Sequence, residues 1–90
     1  MNVAEMIRSK GLKRLCSPLA QDRFKFESCW NWAICHCVEI AESCSDGTDA
    51  VMEIEKFLKE MNTLSTQSRS FSIAKDAVEY VLDYILMPEY

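Results

Sequence analysis

Residues 28–43, SCWNWAICHCVEIAES, constrain the fold more than any other stretch of the chain. At about 100° per residue, Trp30, Ala33, Ile34, Cys37, Ala41 and Cys44 fall together on one side of a helix, with Cys29 and Ile40 beside them. Only a narrow stripe of Ser28, Asn31, Cys35, Glu39 and Glu42 is left polar. A helix with so thin a polar stripe needs neighbours around most of its circumference. The stretch is therefore predicted to be the central helix of a bundle, capped by Ser28.

Three other segments supply the neighbours. Asn2 followed by Glu5 reads as a capping box for a helix over 3–10, and Gly11 is expected to end it with a positive φ. Leu12, Leu15 and Cys16 are read as one further turn, and Ser17-Pro18 as a new start. Charged and aromatic residues alternate from Asp22 to Glu27, which is a strand-like period. With no second strand to pair with, the expectation is an extended connector that drops Phe24 and Phe26 into the core. Beyond the turn Ser45-Asp46-Gly47-Thr48, a helix over 49–61 is capped by Thr48 or Asp49. It buries Ala50, Val51, Ile54, Phe57, Leu58 and Met61, and pairs Glu55 with Lys59 on its outer face. Thr63 to Ser72 reads as a Ser/Thr-rich loop. A last helix over 72–86 turns Ile73, Ala74, Ala77, Val78, Val81, Tyr84 and Ile85 inward until Pro88 ends it.

The resulting expectation is an all-α fold, a small single-domain bundle of three to four helices over residues 1–90 with a basic, less regular lead over 1–26. Composition agrees: 49% of residues are hydrophobic, too many for a disordered tail, and two Gly with two Pro are too few for a turn-rich β-sandwich. No apolar run approaches the roughly 20 residues of a membrane span, and the first ten residues do not read as an export signal. The expected setting is the cytoplasm, with no membrane partner, and the five cysteines are expected to be free thiols.

Chemistry is poorly provided for. Cys35-His36-Cys37 looks like a ligand cluster, but Cys35 and Cys37 diverge by about 200° on a helix and cannot share a metal. His36 is the single histidine and points about 100° away from Cys35, out of reach for a nucleophile–base pair. No phosphate loop or His-Glu-x-x-His run is present. The sequence therefore predicts no enzyme, no catalytic residue, no metal and no cofactor.

Charge and surface aromatics point to partners instead. Residues 1–26 carry six basic residues against Glu5 and Asp22, a net +4, whereas residues 27–90 carry four against twelve acidic residues, a net −8. Trp32 and His36 form a ridge beside Asn31 and Cys35, and Met52 projects from a charged helix face. With Glu39, Glu42, Asp46, Glu53, Glu55 and Glu60, these residues make up a candidate binding surface for a protein partner with a basic surface. The expected function is inhibition: an immunity or anti-defence type of protein that blocks a basic, nucleic-acid-processing enzyme such as a toxin or nuclease. The alternatives are an assembly helper, or a small regulator that contacts nucleic acid through Arg8, Lys10, Lys13 and Arg14. The acidic body repels phosphates and disfavours the last of these. Monomer and homodimer both stay open.

Overall fold

A computed structural model of the chain describes residues 2–15, 17, 19–64 and 68–86. Among these residues the fold is all-helical, without strands: a small bundle of four helices in the order α1 (Val3–Gly11), α2 (Gln21–Glu42), α3 (Gly47–Thr63) and α4 (Arg69–Tyr80). The last helix runs on into a π-helical segment, Val81–Leu86. The expected turn at Cys16, the start at Pro18 and the stop at Pro88 lie outside the described residues.

Helices α1, α3 and α4 begin where a short polar side chain can accept an orphan backbone N–H. Asn2 Oδ1 accepts from Glu5 N at 2.8 Å to start α1. Asp46 Oδ1 accepts from Asp49 N at 2.9 Å to start α3, so this cap lies two or three residues before the expected Thr48 or Asp49. Ser68 Oγ accepts from Phe71 N at 3.1 Å, which starts α4 three residues earlier than the pattern of apolar residues suggests.

The exception is α2. Its N-cap, Ala20, provides no side-chain bond, and the helix begins seven residues before Ser28. The expected extended connector over 22–27 is instead two turns of helix. Four alternating residues span barely one turn, so they do not decide the backbone. Phe26 lies one turn before Trp30, and the two rings stack with centroids 6.0 Å apart; this contact needs a helix. Phe24 and Phe26 are both half-buried, and Glu27 is the one buried charged residue among the described residues, with Arg23 Nε 3.8 Å from its carboxylate.

Helix α2 touches α1, α3 and α4, as a central helix should. Ile34 and Cys37 from α2 share one core cluster with Ile7 of α1, Ile54 of α3, Val78 of α4 and Val81 of the π-helical segment, all without solvent exposure. Gly11 ends α1 for a reason other than the one expected. No glycine has a positive φ; instead a Cβ on Gly11 would lie 3.0 Å from both Cδ1 and Cγ2 of Ile34. Glycine here lets α1 approach α2 without displacing the Ile34 side chain. After it the chain is non-helical from Leu12 to Leu15, and both leucines are exposed, so the expected extra turn is absent there.

The π-helical segment accounts for another departure. Wider turns with i→i+5 bonds rotate later residues away from the α-helical register. Leu82 is consequently buried and Tyr84 is 73% exposed, where an α-helix predicts Tyr84 inside. Tyr80, half-buried, lies against Trp30 with ring centroids 5.5 Å apart.

Candidate partner-binding surface

The outer face of α2 is built around Trp32. Trp30 and Trp32 are about 200° apart on one helix, so burying the first exposes the second. Trp30 is 9% exposed and donates its indole N–H to Gly11 O at 2.8 Å, whereas Trp32 is 58% exposed. One turn on, His36 stacks on Trp32 at 5.7 Å and meets Phe57 of α3 at 4.4 Å. The result is a ridge, Trp32–His36–Phe57, that climbs from the edge of the core to solvent. A groove of about 470 Å³ runs along Trp32 toward the start of α4, lined by Cys29, Phe71 and Ala74.

The cysteines separate as the helical wheel requires. Cys35 is exposed and Cys37 fully buried, and both are free thiols. Burial pushes the Cys37 thiol up to about 12, so it stays protonated and behaves as a small apolar residue. Cys29 and Cys44 are half-buried at the edge of the core. Among the described residues, no three His, Cys, Asp or Glu side chains gather around a common point. His36 is held between the rings of Trp32 and Phe57.

Three candidate residues serve the fold. Asn31 accepts from Lys13 N at 2.7 Å through Oδ1 and donates to Lys13 O at 2.8 Å through Nδ2. This two-bond clasp fixes the non-helical stretch after α1 against α2, and it uses the amide that the sequence assigned to binding. Glu42 pairs with Arg8 of α1 at 3.3 Å. Asp46 caps α3. The sequence offered no signal for the clasp, because the partner of Asn31 is main chain 18 residues away.

The remaining candidates stand free of such duties. Glu39, Met52, Glu53, Glu55 and Glu60 are exposed. The ion pairs of the described side chains are Arg8–Glu42 and Arg23–Glu27, so none of the four glutamates has a cation within 4.0 Å among those residues. The expected Glu55–Lys59 pair is absent. Met52, 60% exposed, sits in a shallow groove with Glu55, Lys56 and Lys59.

The basic lead is partly committed. Arg8 is paired with Glu42, and Lys13 Nζ lies 4.6 Å over the Trp30 ring. Lys10 and Arg14 are exposed. No helix among the described residues is long and apolar enough to cross a membrane. No protein-family model, curated protein or solved structure matches the chain.

Proposed function

We propose that the protein is an inhibitor of the immunity or anti-defence type, which acts by docking its acidic surface on a basic, nucleic-acid-processing enzyme and performs no chemistry of its own. The observation that carries this reading is the set of carboxylates on α3. Glu53, Glu55 and Glu60 are exposed on the same helix as Met52 and lie more than 4.0 Å from any described cation, with Lys56 and Lys59 lining the groove beside Met52. Carboxylates left unneutralised at a surface project a negative field that draws in a positive one and speeds encounter. Enzymes that hold nucleic acid need cationic grooves, and a compact acidic body can occupy one in place of phosphates. Met52, exposed on the same helix, supplies an apolar contact beside these charges.

The test is retention and inhibition together. Immobilised protein is challenged with cationic nucleases and nucleic-acid-binding enzymes at low and high salt. The expected result is an enzyme that is retained at low salt, released at high salt, and slowed on its nucleic-acid substrate. Retention should disappear with the E53K/E55K/E60K variant. Failure to retain any cationic enzyme, or equal retention by the charge-reversed variant, would refute the reading.

A further inference from the structure

A second face of the molecule has a charge pattern that matches itself. On α2, Lys25, Trp32 and Glu39 are spaced seven residues apart and are all exposed. Seven residues are nearly two turns, so the three side chains lie in one row, with the tryptophan about 10 Å from each charge. Between them lie Ser28, Cys29 and His36, all half-buried, and the small Cys35. The Trp32 ring therefore stands out from the row with a cation at one end and an anion at the other. Neither Lys25 nor Glu39 has an ion pair with another described residue.

A two-fold axis through such a row sets each end against its opposite. We infer that α2 docks antiparallel on the α2 of a second copy of this chain, Trp32 against Trp32 at the dyad and Lys25 of each copy against Glu39 of the other. An isologous contact requires a surface that complements itself under rotation, and charges of opposite sign equidistant from an aromatic centre meet that requirement. An antiparallel crossing near 20° keeps both charged ends in reach across the roughly 21 Å of helix between them. The groove beside Trp32, lined by Cys29 and Phe71, gives the other copy's indole somewhere to settle. Both chains carry a net −4, but salt screens that repulsion beyond about 8 Å, so the local pairs decide the encounter. One helix face is a small interface, which makes the contact reversible. It uses no carboxylate of α3 and stands whether or not the inhibitor reading does.

The mass in solution tests this directly. Between about 10 μM and 1 mM, the range in which a small interface saturates, sedimentation should pass from the 10.4 kDa chain to twice that mass. Lys25→Glu and Glu39→Lys should each weaken association about tenfold or more, since each replaces two attractions by two repulsions. The K25E/E39K double variant should restore it. Carbodiimide coupling, which joins an amine to a carboxylate with no spacer, should yield a Lys25–Glu39 crosslink in the dimer band. The two residues are too far apart within one chain to form that link. A monomer throughout the range, or single variants that associate like the parent, would overturn the proposal.

Discussion

Helix α2 carries two aromatic stacks, one on each side, and they have opposite fates. On the inner side, Phe26, Trp30, Tyr80 and Tyr84 follow one another at centroid distances of 6.0, 5.5 and 5.2 Å, with the Lys13 amine over Trp30. The indole N–H is satisfied by Gly11 O, so this stack ties together the end of α1, the middle of α2 and the end of α4. On the outer side, Trp32, His36 and Phe57 follow at 5.7 and 4.4 Å; here it is the tryptophan that stands in solvent, whereas the inner series reaches solvent only at its far end, Tyr84. Two tryptophans separated by a single residue thus do different work. The inner one consumes its hydrogen bond and its area in folding, and the outer one, stacked on His36, leaves more than half of its surface exposed.

The comparison breaks most visibly at the inner indole. Trp30→Ala should cost about 3–5 kcal/mol, a large share of the stability of a small domain, measured by urea denaturation. If Trp30→Ala proves as mild as a surface change, the inner stack is not what joins the helices. The second effect is on pH. The Cys37 thiol is raised in the folded state from 9.0 to about 12, whereas the unfolded chain ionises it near its ordinary value. Its contribution is fully present below pH 9 and is lost as pH rises toward about 12. The fall in stability across that window should be steeper for the parent than for Cys37→Ala, in paired denaturation curves.

Smaller changes sharpen the same contrast. Gly11→Ala gains up to about 1 kcal/mol of helix propensity but places a methyl group 3.0 Å from the fully buried Ile34. Overpacking costs about 1–3 kcal/mol, so thermal melting should show net destabilisation. Asn31→Ala should cost about 1–2 kcal/mol by opening the clasp on Lys13, and hydrogen exchange should show the Lys13 amide losing protection. At the low end, Trp32→Ala should change stability by about 0.5 kcal/mol or less. The ratio of the two tryptophan effects measures how far the sides of α2 differ.

Much of this division was legible in the sequence. The wheel of residues 28–43 assigned Trp30, Ala33, Ile34, Cys37 and Ala41 to the interior and left Cys35, Glu39 and Glu42 outside, because burial of a helix follows its periodicity. What it missed depends on contacts between distant residues. Phe26 is helical because Trp30 offers it a ring, and Gly11 is a glycine because of Ile34. Asn31 is engaged by the backbone of Lys13, and no local pattern signals that. Tyr84 points outward because the helix widens after Tyr80, a change of pitch that no periodic count anticipates. On the candidate surface, the exposure of Glu53, Glu55 and Glu60 was readable from spacing, but the loss of Glu42 to Arg8 required the packing of α1 on α2.

The central claim is that α2 is a single rod with one side sealed and the other open, and native-state thiol labelling tests it most directly. At neutral pH, iodoacetamide followed by peptide mass mapping should find Cys35 modified while Cys37, two residues on, stays unmodified until denaturant is added. Equal modification of the two in the native protein would contradict the account.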